Sequence, residues 1–301
     1  MKHFVVIFLS GMLLVSCRPK PSKPEETPTK GNLMLLVTDS HDWVLKEQAD
    51  EYSRQYPEVH ISVAGVSTRE AIVHFLNDSV KSICIDRPLN KEELEVAAKA
   101  NFEYAENKIA EDALAIIVHP QNPLKEILYQ DVKEILTGVK KSWSQISSGG
   151  GRGTIELVLT GRNSGTYELL QRHFFRIDGN ITISQLLPTQ QRVVEYISAH
   201  PQALGIVSIA AVRNDSGSVK VLAVESTNME GERFVRPNQI NIYRSLYPLH
   251  YSLYLYTSES STGVAAGFST FVRSMQGQKI IQNVGLVPVV IPNRVIQINT
   301  E

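Results

Sequence analysis

Cysteine, tryptophan and any excess of one charge are all scarce in this chain. Its 301 residues hold two cysteines and two tryptophans, and 30 basic side chains against 31 acidic ones leave a formal net charge of −1. Without a basic face, a nucleic-acid partner is not expected. Cys84 has no second internal cysteine, so no internal disulfide is expected; within Ile83-Cys84-Ile85 it reads as a small buried hydrophobe rather than a catalytic thiol. No two histidines stand at metal-ligand spacing, and neither a metal nor another cofactor is expected. Residues Ser147 to Gly153 contain four glycines in seven positions. They lack both the following Lys-Ser/Thr of a Walker loop and the strand–helix setting of a dinucleotide fingerprint, so they read as a surface turn. Long apolar runs are missing too, except near the start.

There, Lys2 and His3 precede the apolar stretches Phe4 to Leu9 and Met12 to Val15, too short together to span a bilayer. Residues 1–17 therefore read as a signal peptide. They end in Leu14-Val15-Ser16-Cys17, which resembles a bacterial lipobox, with acylation of Cys17; a plain secretory signal with a chance cysteine is the alternative. Two or three acyl chains would hold the protein firmly on a membrane. Between Arg18 and Lys30 lie four prolines among Lys, Glu, Ser and Thr, so residues 18–31 read as an extended tether. The expected location is the cell envelope, membrane-anchored and facing the periplasm or outside.

The remainder alternates. Leu33–Val37, Val59–Val63 and Ser82–Ile85 read as strands, and each runs into a polar turn before a helix (Trp43–Tyr56, Arg69–Leu76 and Lys91–Ala100). This βαβαβ order implies a parallel sheet with right-handed crossovers, and ligands of such sheets bind beyond the carboxyl ends of the strands. The turns around Ser40, Ser67 and Asp86 should gather at one edge. Further strands are expected at Ala113–Val118, Thr154–Leu159, Ala203–Ser208, Val219–Val224 and Leu253–Thr257. Helices are expected at Asp131–Leu136, Arg192–Ala199 and Gly267–Gln276, and the segment Leu286–Val290 closes the fold.

After the strand Thr154–Leu159 comes Gly161-Arg162-Asn163-Ser164-Gly165-Thr166, then Tyr167, Leu170 and Phe174 at helical spacing. A strand, a Gly/Ser/Thr turn and a helix start present free N–H groups and a positive dipole end to one point. That suits an oxyanion; an ordinary N-cap with Arg162 in solvent is the other reading. As a nucleophile, Ser164 is one place out of register with G-x-S-x-G, and no catalytic residue is expected.

Several stretches in order resemble the phosphate-binding proteins of ABC transporters: Ile83-Cys84-Ile85-Asp86-Arg87-Pro88-Leu89, Ile109 to Pro120, Leu136-Thr137-Gly138 with Ser142-Trp143-Ser144, Ser164-Gly165-Thr166, Pro201 to Val207, Tyr247 to Tyr256, and Gly277 to Pro288. The resemblance covers residues 33 to 290. It implies the two-lobed α/β fold of periplasmic binding proteins (type II), with residues 32–112 and 248–301 in one lobe, 113–247 in the other, and the ligand between them. It implies a monomer that binds inorganic phosphate and presents it to an ABC permease, without turnover. The implied phosphate ligands are Ser40, Ser67 (or its neighbour Thr68), Asp86, Arg87, Arg162, Ser164, Gly165 and Thr166. Asp86 would accept the proton of monohydrogen phosphate and repel sulfate. Arg162 lies only two residues before Ser164, closer than the family's usual arginine, and Asp39 and Asp42 bring negative charge to the first turn. A ligand-free scaffold or adhesion lipoprotein of the same fold and a binder of another tetrahedral oxyanion are the alternatives.

Overall fold

The computed structural model describes residues 26–149, 151–175, 179–212, 217–226, 232–258 and 262–290. Cys17, the signal segment and most of the tether lie outside the described residues.

The chain opens with β1 (Gly31–Thr38), α1 (Asp42–Gln55), β2 (Val59–Val66), α2 (Thr68–Leu76), β3 (Ser82–Ile85) and α3 (Lys91–Lys99). β1 pairs in parallel with both β2 and β3, as the βαβαβ pattern predicts, and the structure sets their order as β2-β1-β3. Ser67 caps α2 by accepting from Glu70 N–H, and Asn90 and Glu93 form a capping box on α3. The strand β4 (Tyr104–Val118) then crosses the molecule. Its first ten residues pair with β12 (His250–Ser258), and Leu114 to Val118 pair with β8 (Ala203–Ser208). One strand thus belongs to both halves. The apolar run alone marks Ala113–Val118, because the preceding residues carry Glu106, Lys108, Glu111 and Asp112, and the resemblance implies a strand crossing between the lobes near Ala110–Val118. The structure extends the strand through them, partly exposed from Tyr104 to Lys108 and almost wholly buried from Ile109 onward.

The second half contains β5 (Glu126–Ile127), α4 (Tyr129–Leu136), β6 (Glu156–Thr160), α5 (Gly165–Phe174), β7 (Gln185–Leu187), α6 (Gln190–Ala199), β8, the short α7 (Ile209–Val212), β9 (Lys220–Val221), β10 (Ala223–Glu225), β11 (Phe234–Val235) and α8 (Gln239–Tyr243). Its sheet runs β4-β8-β6-β7, and β6 is parallel to both β7 and β8. The single strand expected at Val219–Val224 is two. β9 pairs with β4, whereas β10 joins β5 and β11 in a separate three-stranded sheet. After β12 come α9 (Val264–Arg273), α10 (Met275–Asn283) and β13 (Val287–Pro288). The one helix expected at Gly267–Gln276 is interrupted at Ser274, whose Oγ caps α10 through Gly277 N–H.

The apolar core is continuous across the junction. One cluster joins Leu35 and Val37 of the first half to Leu157 and Leu159 of the second through Ala113, Leu114 and Ile116 of β4. Two smaller clusters seat α2 and α6 on their sheets. The chain recrosses at Tyr247–Leu249: Tyr247 O–H donates to the Leu114 carbonyl, and Leu114 N–H to the Leu249 carbonyl. The buried Cys84 thiol is pushed up in pKa by desolvation. Among the described residues no helix is long and apolar enough to cross a membrane.

Candidate functional site

The helices α1 and α2 of the first half and α5 and α6 of the second all start at the seam between the halves. At α5, Ser164 is the N-cap: its Oγ accepts from Tyr167 N–H at 3.3 Å and from Thr160 Oγ1 at 2.8 Å, which leaves its own O–H as a donor. Gly165 N–H crosses the seam and donates to Thr68 Oγ1 at 3.1 Å. Thr68 donates in turn to Asp86 Oδ1 at 2.9 Å, and Thr38 Oγ1 lies 3.5 Å from Asp86 Oδ2 and 3.3 Å from Thr68 Oγ1. Arg69 N–H reaches the Asn163 carbonyl beside them. Thr38, Thr68, Asp86, Ser164 and Thr166 are all buried. Burial pushes the Asp86 carboxyl above its ordinary pKa, although the charge on His41 and the Thr68 hydrogen bond oppose the rise.

A second crossing lies at α6. Gln190 N–H donates to Asp39 Oδ2 at 3.1 Å, so a carboxylate from the first half sits at the helix N-terminus of the second. The Gln190 side chain donates to Thr166 Oγ1 at 2.9 Å and accepts from Ser208 N–H at 2.6 Å. Burial also raises the Asp39 carboxyl, against the Gln190 bond. Beside this crossing lies a cleft of about 400 Å³ lined by Asp39, Ser40, Trp43, Thr189, Gln190 and Ala210.

Behind the cleft, at the strand where the halves join, is a buried polar chain. Ser40 Oγ lies 2.7 Å from His41 Nδ1, and His41 Nε2 lies 2.7 Å from Asp112 Oδ2. Tyr251 O–H (3.0 Å) and Ser208 Oγ also reach that carboxylate oxygen. Burial would raise the Asp112 carboxyl, but the His41 hydrogen bond and charge and the Ser208 bond outweigh it and hold it below the usual range. In serine hydrolases the nucleophile meets Nε2 of the histidine and the acid meets Nδ1; here the two nitrogens have exchanged partners.

The structure brings Ser40, Asp86, Ser164, Gly165 and Thr166 to the seam. It does not bring the other three expected residues to it in the same way. Ser67 lies one residue before the seam, its Oγ engaged in capping α2, and Thr68 carries the contact instead. Arg87 is 1% exposed and faces away from the cluster. Its Nη1 and Nη2 bind Glu93 at 2.8 Å each, and its Nη2 and Nε meet Glu168 on α5. Burial alone would lower the Arg87 pKa, but these two carboxylates raise it. Arg162 is exposed, with its guanidinium carbon 5.9 Å from the centre of the Tyr167 ring. Missing from the expected set are Thr38, His41, Asp112, Gln190, Ser208 and Tyr251. Gln190 could have been found from Pro188-Thr189, a helix-start signal. Asp112 had no local signal at all.

Two α/β halves joined by a shared strand and a return crossing, with helix N-termini facing one another over a polar seam, define a two-lobed binding protein of the periplasmic type. The chain belongs to the PBP superfamily, whose domain model matches residues 22–275. It is similar to the phosphate-binding protein PstS of Pseudomonas aeruginosa, with 27% identity over 288 residues, 89% of this chain and 86% of that one. A Clostridium perfringens protein solved with bound phosphate has the same fold, with a TM-score of 0.76, 21% identity, and coverage of 86% of this chain and all of the other. An ABC-type phosphate transport receptor from Vibrio cholerae also shares it, with a TM-score of 0.66, 21% identity, and coverage of 85% and 99%.

Proposed function

We propose that the chain binds inorganic phosphate between its halves and presents it to an ABC-type permease, without chemical turnover. The observation that carries this reading is the N-terminus of α5, whose Ser164, Gly165 and Thr166 face Thr68 and Asp86 of the other half within a buried hydroxyl cluster. The PstS relatives support the same ligand. Phosphate would take the place of Thr68 as acceptor of the Gly165 N–H and receive the Ser164, Thr166 and Ser40 hydroxyls. Each charge-assisted bond contributes about 1.5–3 kcal/mol. Asp86 would accept the ligand's own proton, favouring monohydrogen phosphate over sulfate. The lobes would be residues 32–112 with 248–301 and residues 113–247, hinged where β4 changes partners and at Tyr247–Leu249. Acylated Cys17 and the tether 18–31 would hold a monomer at the outer face of the membrane. Closure of the lobes would be what the permease reads.

A second reading has one specific observation behind it. Asp39 and Asp86 both face the seam, while Arg87 and Arg162 are engaged elsewhere. Such an acid-rich seam favours either a scaffold without ligand or another tetrahedral oxyanion that carries protons. Titration calorimetry against phosphate and sulfate separates these. Heat with phosphate and none with sulfate is the expected result. Silence with both would leave the scaffold, and equal binding of both would remove the role given to Asp86.

A further inference from the structure

We propose that Asp39 acts as an internal anion: its carboxylate occupies the N-terminus of α6 across the seam, and phosphate binds only by displacing it. The inference rests on the phosphate reading above and adds to it a residue that sets affinity.

The argument starts from what Asp39 meets. It stands in the turn after β1, and its Oδ2 accepts from Gln190 N–H at 3.1 Å, a contact between residues 151 positions apart. Gln190 opens α6 in the other half, where Thr189 Oγ1 already accepts from Arg192 N–H. The first N–H of a helix has no partner inside the helix, and here a carboxylate of the opposite half supplies one, at the positive end of the helix dipole. Asp42, at the start of α1, pairs with Lys46 at 2.6 Å, whereas among the described residues no lysine or arginine pairs with Asp39. Burial raises the Asp39 carboxyl above its ordinary pKa and Asp86 adds to the rise, while the Gln190 bond and the His41 charge favour the ionised form. The start of α6 is therefore what compensates this carboxylate most directly.

An oxyanion and this carboxylate compete for one place. The hydroxyls assigned to phosphate include those of Ser40 and Thr166. Ser40 follows Asp39 directly in the chain, and Thr166 Oγ1 accepts from the side chain of Gln190, whose backbone N–H holds Asp39. Asp39, Ser40, Thr189 and Gln190 line one cleft of about 400 Å³. A dianion among these groups gains the start of α6 as a donor, but meets Asp39 as a like charge. An ionised carboxylate has no hydrogen to give, and the repulsion is strong where water is excluded. Displacement removes the conflict: Gln190 N–H passes from the carboxylate to the phosphate, and Asp39, only half-buried, turns to the water of the cleft. Asp86 is 1% exposed and has no such exit, which separates the two acids: Asp86 stays and accepts the ligand's proton, and Asp39 leaves. Phosphate affinity is then reduced by whatever the Asp39–Gln190 contact contributes.

The test is calorimetric titration of the full chain in mild detergent with inorganic phosphate, for wild type and three variants. Asp39→Asn keeps an oxygen that accepts from Gln190 N–H and removes the charge. It should bind phosphate about tenfold more tightly than wild type, the difference between a charge-assisted and a neutral hydrogen bond at the contact to be broken. A contact that merely supports the site would weaken binding when altered, so a gain in affinity is the signature of displacement. Asp39→Ser, which keeps an oxygen on a shorter side chain, should also bind more tightly and serves if Asp39→Asn does not fold. Asp42→Asn removes the same charge from the same cleft wall without touching α6, and should change affinity less than about threefold. Unchanged or weaker phosphate binding in the folded Asp39 variants would overturn the inference and make Asp39 a partner of the ligand's protons beside Asp86. An equal gain in Asp42→Asn would overturn it too, by reducing the effect to the charge of the cleft as a whole. Phosphate binding itself would stand in both cases. No heat with phosphate from wild type or from either Asp39 variant would overturn the phosphate reading, and the inference with it.

Discussion

Gly165 lies at a close approach of the two halves, its N–H 3.1 Å from Thr68 Oγ1. A Cβ built there would overlap the Asp86 carboxyl group, and its φ is not in the left-handed region. The residue must be glycine for space and not for backbone freedom. Gly165→Ala should therefore leave each half folded but prevent the seam from closing. Phosphate affinity should fall by at least about a hundredfold while the circular dichroism spectrum is unchanged. Retained affinity would show that closure tolerates a methyl group there. Asp86 makes the complementary prediction. Burial, chiefly, raises its carboxyl pKa, so the folded protein holds that proton more tightly than the unfolded chain does. The associated stability is fully present below the ordinary carboxylate pKa and is lost as pH rises through the raised value. Asp86→Asn removes this loss. The melting temperature of the ligand-free variant should exceed that of wild type at neutral pH, with the gap closing in acid. In calorimetry the same variant should also discriminate less between phosphate and sulfate.

At the scale of elements, the N-terminal turn of α5 does more than face an anion. Glu168, one turn into the helix, reaches back across the seam to Arg87, which follows β3 and is already fixed by Glu93 of α3. A buried guanidinium between two carboxylates joins three elements from two halves. Removing its partner on α5 should weaken closure without unfolding either half, since Glu93 still holds Arg87. Glu168→Gln should enlarge the radius of gyration of the ligand-free protein in small-angle scattering and weaken phosphate binding about threefold to tenfold. An unchanged scattering profile would argue against a latch. Arg87→Met, by contrast, leaves Glu93 and Glu168 without a buried partner and should cost about 3–5 kcal/mol of stability, read by denaturant unfolding. The strand β4 shows why some elements escape sequence reading. Its polar residues Glu106, Lys108 and Glu111 lie in the first, partly exposed part of a strand that is fully buried from Asp112 onward. Locally they interrupt the apolar run that marks Ala113–Val118.

For the whole molecule, the decisive feature is that both halves meet only partly as core and partly as a polar seam. The core through β4 keeps them attached, and Thr68, Asp86, Gly165, Asp39 and Gln190 meet across the seam by hydrogen bonds, the part that would separate if the proposed closure operates. Ligand held between them must stabilise the closed form by mass action. At a hundred times its dissociation constant, phosphate should add about 2.7 kcal/mol, which for a chain of this size raises the melting temperature by roughly 4–5 °C. Thermal melts with and without phosphate measure this directly. The same titration on Gly165→Ala should show little shift.

What the sequence determined alone is what depends on neighbours a few positions away. Apolar periodicity set the element types, Ser67 and Ser164 fell in turns before helices that the structure caps with those side chains, and the alternation of strands and helices implied a parallel sheet. The turns at Ser40, Asp86 and Ser164 were legible as strand-end turns for the same reason. What only the tertiary structure decided is which distant group each polar side chain meets. Arg87 could be read as a ligand of the anion until Glu93 and Glu168 came into place around it. Asp39 could be read as a charge out of place until the start of α6 arrived opposite, and His41 and Asp112 are 71 positions apart. A buried charge is held by whatever compensates it, and that partner is chosen by the packing of elements far apart along the chain, on which local spacing carries no information.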